Sequence, residues 1–252
     1  MASASTSLGR YDTIGVGYRN YRQPDPRVAS RLAAALGDAE RIVNVGAGAG
    51  SYEPQDRWVV AIEPSPVMLE QHPGRPKLRA AAEHVPFPND AFDAALAIFT
   101  VHHWVDPAAG LAELRRVARR QVLLTFEAEM EAEFWLGDYV PAIRSQEHSW
   151  VATIDAVAGP LGTDHVEVLP VPHDCIDGFM AAYWRRPERY LDPGARASIS
   201  GLALLSPHEI EPGMTRLEAD LESGAWRERY GHLLELDELD CGYRIVVAGD
   251  GA

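Results

Sequence analysis

Short apolar runs bounded by turn residues alternate along this chain with stretches whose apolar positions recur every three or four residues. Ile42, Val43 and Val45 form one such run, rich in β-branched side chains, and predict a buried parallel strand that leads directly into Gly46, Gly48 and Gly50. A second run, Trp58 to Ile62, ends on Glu63. Leu78 to Ala82, Ala94 to Phe99 and Gln121 to Phe126 predict a third, fourth and fifth strand. His165 to Val171 alternates as a sixth strand would, and Tyr243 to Ala248 reads as the terminal one. Between them lie helices with readable starts. Asp25 caps one with Pro26 in its first turn, Val28, Leu32 and Leu36 along one side and Gly37 as its stop. Ser65 caps another carrying Met68 and Leu69, and a third runs from Pro107 through Leu111, Leu114 and Val117. Glu129 to about Gln146 predicts a helix that exposes Glu131 and Glu133 and buries Phe134, Trp135 and Tyr139. Only twelve residues, Pro54 among them, separate Gly50 from Glu63, so the first crossover is little more than a turn.

This order predicts the α/β class: a Rossmann-like, seven-strand, mostly parallel sheet with helices on both faces and a late hairpin. About seventy residues between the sixth strand and the last exceed what a bare sheet needs, and predict a helical cap insertion before the last strand. The expected division is a disordered N-terminus over 1–10, a Rossmann-like domain over 11–170 plus 241–252, and a helical cap and substrate region over 171–240.

Composition narrows the function. A chain of 252 residues with a formal net charge of −14 lacks the basic surface that a grip on nucleic acid requires. Its two cysteines, Cys175 and Cys241, have no metal-like spacing, and the adjacent His102 and His103 have no third ligand nearby, so no metal is expected. The first ten residues lack the apolar core of a signal peptide, and no run approaches the roughly 18 apolar residues of a membrane span. A cytoplasmic location with no membrane partner is the expectation. Oligomeric state has no signature here.

Glycine tolerates backbone angles and approach distances that a Cβ forbids, so the Gly46–Gly50 loop is suited to lie against a ligand. An acid at the tip of the second strand, Glu63, suits the two hydroxyls of a ribose. Together they describe a nucleoside-containing cofactor. The glycines fall at G-x-G-x-G with Ser51 in the sixth place, a departure from the G-x-G-x-x-G of dinucleotide binders. Strand ends are where ligands bind in open α/β sheets, which puts His102, His103 and Trp104 after the fourth strand and Glu127 after the fifth within reach of a substrate. An imidazole with an ordinary pKa near 6.5 serves as a general base, or it orders its loop through hydrogen bonds. Glu127 orients a substrate or caps the following helix.

The glycine loop, Glu63 and the segment Ala82-Glu-His-Val-Pro-Phe-Pro-Asn-Asp-Ala-Phe-Asp93 together resemble the class I S-adenosylmethionine-dependent methyltransferases of the small-molecule type. That family's first motif reads acid-x-G-x-G-x-G, and its later segment reads A-E-x-L-P-F-P-D-x-S-F-D. The resemblance runs over about residues 11–126. It implies S-adenosylmethionine as cofactor, with Tyr11, Tyr18 and Arg22 folding over it. It also implies cofactor contacts from Asn44, Gly46, Gly48, Gly50, Glu63, Pro64, Met68, Ala82, Glu83 and Phe99. Two positions depart from the family: Asn44 stands where the first motif has its acid, and Ala81 where relatives often have an acid for the adenine amino group. The implied reaction is methyl transfer by in-line displacement to carbon or oxygen of a small molecule. His102 or His103 is then the base, or Glu127 takes up a proton if a carbocation forms. Trp104, Trp135, Tyr183, Trp184, Arg185, Arg186 and Arg189 are the substrate candidates, because arginines beside aromatics suit an anionic or flat conjugated acceptor. Two alternatives stand beside this reading: an NAD-dependent oxidoreductase, and a methyltransferase-like protein that binds the cofactor without methylating, as a binding module or a cyclase.

Overall fold

Asp25 begins the helix α1 (Pro26–Leu36) by accepting the Arg27 N–H at 2.9 Å, and Gly37 ends it at φ +58°. Val28, Leu32, Ala35 and Leu36 form its buried side, as the spacing predicts. The computed structural model describes residues 21–74, 76–127, 130, 134–145 and 153–250. The expectations for residues 1–20, including Tyr11 and Tyr18, and for Glu131 and Glu133 lie outside them.

The strands β1 (Arg41–Val45), β2 (Trp58–Ile62), β3 (Lys77–Leu78), β4 (Phe92–Ile98), β5 (Ala118–Phe126), β6 (Val166–Val168) and β9 (Tyr243–Gly249) form a seven-stranded sheet. Its order is β3-β2-β1-β4-β5-β9-β6, parallel up to β5, with β9 antiparallel to both β5 and β6. Between β2 and β3 lies α2 (Pro66–Gln71), capped by Ser65, and between β4 and β5 lies α3 (Pro107–Val117), capped by Asp106. No helix fills residues 46–57, so the first crossover is a series of turns, as expected.

Three elements differ from the sequence pattern. The third strand is two residues long, because after Leu78 the chain leaves the sheet edge for the loop that approaches β4. The sixth stops at Val168, and Val171–Pro172 (β7) instead pairs with Glu238–Leu239 (β8) in a separate small hairpin. The single helix expected over 129–146 is interrupted at Phe134 and Trp135, which form a bend and a turn, and again between α4 (Leu136–Tyr139) and α5 (Ala142–Ser145). Pro141 causes the second interruption, since it lacks an N–H and disfavours helical geometry in Val140 before it. A further helix, α6 (Ile154–Leu161), packs beside α3.

Successive β1 residues serve opposite faces. Ile42 joins one buried cluster with α1, and Val43 and Val45 join another with Leu111 and Leu114 of α3 and Val157 of α6. The segment between β6 and β9 carries α7 (Pro193–Ala197), α8 (Ser200–Ala203), α9 (Pro207–Ser223) and α10 (Ala225–Tyr230), with 3₁₀ turns before the first and after the last. It has no separate core. Trp184 and Tyr190, both fully buried, belong to the same apolar cluster as Leu32 and Leu36 of α1. Ion pairs fasten its first loop to the chain entering α1: Arg22 to Asp177 at 2.7 Å and Arg27 to Asp174 at 2.6 Å. The Asp25 carboxylate also accepts the Ile176 N–H at 3.1 Å.

Burial pulls the Asp25 carboxyl up, but the donors from Arg27 and Ile176 outweigh it and hold its pKa at about 2. An acid depressed in the folded state adds stability above its unfolded value near 4, and that stability is lost as pH falls toward 2. Chemical denaturation of the wild type is expected to lose about 2 kcal/mol over this window from this group, a component missing in Asp25→Asn. Trp184→Ala, which empties a buried site and removes the Nε1 bond to the Val171 carbonyl (3.0 Å), is expected to cost about 3–5 kcal/mol in the same measurement.

Candidate cofactor and acceptor site

From β1 the chain passes to β2 and β3 on one side of the sheet and later to β4 and β5 on the other, opening a crevice at the carboxyl ends of β1 and β4. The glycine loop occupies one wall. Gly46 sits at φ +72°, and a Cβ there would overlap the Thr100 hydroxyl, so only glycine lets the loop lie against the β4 end. The Gly46 and Ala47 N–H groups donate to the Ile62 carbonyl at 2.8 and 3.0 Å. Gly48, at φ +54°, donates its N–H to Glu63 Oε2 at 2.8 Å, while Glu63 Oε1 accepts the Ser65 N–H at 2.8 Å. One carboxylate therefore ties the loop after β1 to the turn after β2. Burial raises the Glu63 pKa, and the two N–H donors oppose that shift.

A cavity of about 560 Å³ opens between this wall and the segment that precedes β9. Asn44, Gly46, Gly48, Glu63, Pro64 and Met68 line it from the β1–β2 side, with Ala82, Glu83 and Phe99 opposite. The residues fit a nucleoside-bearing group. Glu63 keeps acceptor capacity toward the cavity beyond its two backbone donors, and the Oδ1 of Asn44 is buried without a hydrogen-bond partner. Glu83 lines the cavity, but its Oε1 is engaged by the N–H groups of Val105 and Asp106 at 2.8 and 3.0 Å. Arg22 lines it too, its guanidinium on Asp177 and 6.0 Å from the centre of the Phe99 ring. Phe99 adopts φ +49°, an unfavourable conformation for an aromatic residue, and turns the chain at the end of β4.

The other half of the cavity is aromatic and aliphatic. Phe99, Phe179 and Tyr243 form a mutual cluster with ring centres 4.7–5.5 Å apart, and Phe126, Met180, Ile199 and Leu205 extend it. His102 and His103 lie on a 3₁₀ turn after β4, their ring centres 3.8 Å apart, with His102 5.1 Å from Phe126. Both line the cavity, as does Trp104, whose Nε1 donates to Thr100 Oγ1 at 3.3 Å. Among the described residues no three His, Cys, Asp or Glu side chains are grouped to hold a metal ion.

Several sequence candidates are placed elsewhere. Gly50 does not line the cavity; it lies against the His72 ring, at φ +82°. Glu127 is drawn away by Arg244, whose Nε and Nη2 hold its carboxylate at 2.9 and 3.2 Å. Trp135 is buried behind the cavity, donating to the Trp184 carbonyl at 2.9 Å, and Trp184 is core. Tyr183 is buried, with Arg186 and Arg189 each 5.3 Å from its ring. Arg186 also donates to the carbonyls of Cys175 and Ala182, and Arg185 to that of Leu236. Arg185 and Arg186 satisfy backbone carbonyls at the segment's turns and Arg189 lies over the Tyr183 ring, and none of the three lines the cavity. The segment's contribution comes instead from Phe179 and Met180 just before them and from Ile199, Ser200, Gly201, Leu204 and Leu205 after them. The apolar run Leu202-Ala-Leu-Leu205 was the available signal, although periodicity alone assigns such a run to core as readily as to a pocket.

A methyltransferase domain family matches residues 43–126. Among solved structures, a provisionally assigned methyltransferase from an antibiotic biosynthesis pathway of Anabaena variabilis is 32% identical, with a TM-score of 0.83 over 90% of this chain and 98% of that one. Among curated relatives, a demethylmenaquinone methyltransferase of Mycolicibacterium paratuberculosis is 32% identical over 43% of this chain. A 2-methyl-6-phytyl-1,4-hydroquinone methyltransferase of Oryza sativa subsp. japonica is 28% identical over 39% of it. The matches span 51% and 32% of those two relatives' own lengths. Identity extending over nearly the whole of both chains in the cyanobacterial case, on a sheet of this order, places the protein in the class I S-adenosylmethionine-dependent methyltransferase family.

Proposed function

We propose that the chain binds S-adenosylmethionine along the glycine loop and directs methyl transfer to carbon or oxygen of an apolar small molecule carrying an ionisable hydroxyl or enol. The observation that supports it is the single cavity surface on which Glu63 and the glycine loop face aromatic walls and two histidines. When bound, the cofactor supplies an electrophilic methyl on a sulfonium. Glu63 would hold the ribose hydroxyls, with Pro64, Met68, Ala82, Glu83 and Phe99 framing the adenosine. The His102–His103 turn would hold the acceptor's hydroxyl and take its proton through a neutral imidazole. Phe126, Phe179, Met180 and Tyr243 would orient the acceptor and keep water out, so that alignment carries most of the acceleration. The arginines that suggested an anionic acceptor lie outside the cavity, which favours a neutral aromatic or quinonoid one. The two curated relatives are named for a demethylmenaquinone and a hydroquinone, consistent with that chemistry. Against an NAD-dependent oxidoreductase, no helix N-terminus follows the glycine loop to face a pyrophosphate, because residues 46–57 are turns. Among the described residues no helix is long and apolar enough to cross a membrane.

Titration calorimetry is expected to show S-adenosylhomocysteine binding that weakens about tenfold or more in Glu63→Ala. Since the Glu63 pKa is raised, its acceptor form is complete above that raised value and is lost as pH falls through it. Affinity should therefore decline at a higher pH than an ordinary carboxylate would give, and Glu63→Gln should flatten the profile. Methyl-labelled cofactor incubated with quinols and phenols should label an extracted product. His102→Ala or His103→Ala is expected to slow that transfer by about 10²–10⁴-fold with cofactor affinity unchanged. Saturable NADH binding without S-adenosylhomocysteine binding would overturn the proposal, and bound cofactor with no label in any acceptor would point to a non-methylating role.

A further inference from the structure

Asn44 stands where the family's pattern has an acid, and the structure shows what accompanies the change. Its side chain is 2% exposed, in β1 beneath the glycine loop, and borders the cavity. The amide has one orientation: Nδ2 donates to Glu53 Oε1 at 2.9 Å, and a carboxylate can only accept. The acceptor Oδ1 is therefore the atom left buried with no hydrogen-bond partner among the described residues. Behind it, Glu53 has a side chain only 9% exposed and takes a second donor on the same oxygen, His72 Nε2 at 3.0 Å. The Gly74 N–H donates to His72 Nδ1 at 3.0 Å, which leaves Nε2 as the ring's donor to Glu53. Gly50 admits that ring, since a Cβ there would lie 2.8 Å from Nε2. Among the described residues no lysine or arginine pairs with Glu53. It is a buried carboxylate held by the Asn44 amide and the His72 ring, one amide away from the cavity.

We infer that Asn44 and Glu53 form one site for a cationic donor, which in the proposed cofactor is the methionine ammonium. Asn44 Oδ1 accepts from it, Glu53 supplies the opposing charge through the amide, and His72 is a positioning residue that keeps Glu53 turned toward Asn44. Position 44 carries no carboxylate, and the one that reaches it belongs to Glu53, nine residues along the chain on the far side of the same loop. This inference rests on the cofactor reading above.

The test compares S-adenosylhomocysteine, which carries the ammonium, with 5′-methylthioadenosine, which shares the adenosine and sulfur but lacks the amino acid. By calorimetry, E53Q is expected to weaken S-adenosylhomocysteine roughly ten- to a hundredfold and to leave methylthioadenosine within about twofold. The double variant N44D/E53Q returns the charge to position 44. There the new amide at position 53 donates to the new carboxylate and accepts from His72, and most of the loss should be recovered. Equal weakening of both ligands in E53Q, or no weakening, would overturn the inference. So would failure of the double variant to recover while its thermal unfolding matches the wild type. Should E53Q not fold, Asn44→Ala serves instead, with the same ligand contrast expected and equal loss of both ligands again counting against it. A wild type that binds neither ligand defeats the cofactor reading itself, and this inference with it.

Discussion

One carboxylate joins the parts of this molecule that matter for its site. Glu63 leaves the end of β2 and accepts a backbone N–H from Gly48 and another from Ser65, so the loop after β1, the turn after β2 and the start of α2 are held by a single side chain. A loop made almost wholly of glycine and alanine has little of its own to fix it, and glycine gives up more conformational freedom on ordering than any other residue. The bonds to Glu63 and to the Ile62 carbonyl supply what side-chain packing cannot. Holding a carboxylate this way has an electrostatic consequence, since burial favours its neutral form while the backbone donors favour the charge.

The opposite wall is built by different means. The segment between β6 and β9 shares its apolar core with α1, and the chain entering α1 is fastened to it by Arg22, Asp25 and Arg27. Tyr52, next to the glycine loop, donates its hydroxyl to Asp177 at 2.8 Å, so the cofactor side and the acceptor side meet at that buried acid. Burial raises the Tyr52 pKa, with the negative charge of Asp177 adding to the effect, and the phenol stays a donor. The cavity is thus closed by a seam of polar contacts across an otherwise apolar interior.

The division of labour suits the proposed chemistry. A shared adenosine needs fixed polar groups, and these come from strand ends, where the sheet leaves little freedom. An acceptor needs shape and dryness, which the aromatic cluster of Phe99, Phe179 and Tyr243 provides together with Ile199 and Leu205.

Local patterns in the chain determined five of the strands in the main sheet, the helices capped at Asp25 and Ser65, the helix starting at Pro107, the short first crossover, and the pairing of a glycine loop with Glu63. Each follows from neighbours a few residues apart, where β-branched runs, N-caps and glycine act directly. The segment after the fourth strand was legible for the same reason, because His102, His103 and Trp104 sit at a strand end that geometry directs to the crevice. Only the tertiary structure decided which side chains of the long insertion face the cavity. Arg185, Arg186, Arg189, Tyr183 and Trp184 offered attractive chemistry, yet folding spends them on backbone carbonyls, on the Tyr183 ring and on the core. Glu127 likewise met Arg244 across 117 positions, and Asn44 met Glu53 and His72 beneath a loop. A charge does not announce its partner along the chain, so folding alone determines whether it is spent on structure or left for a ligand.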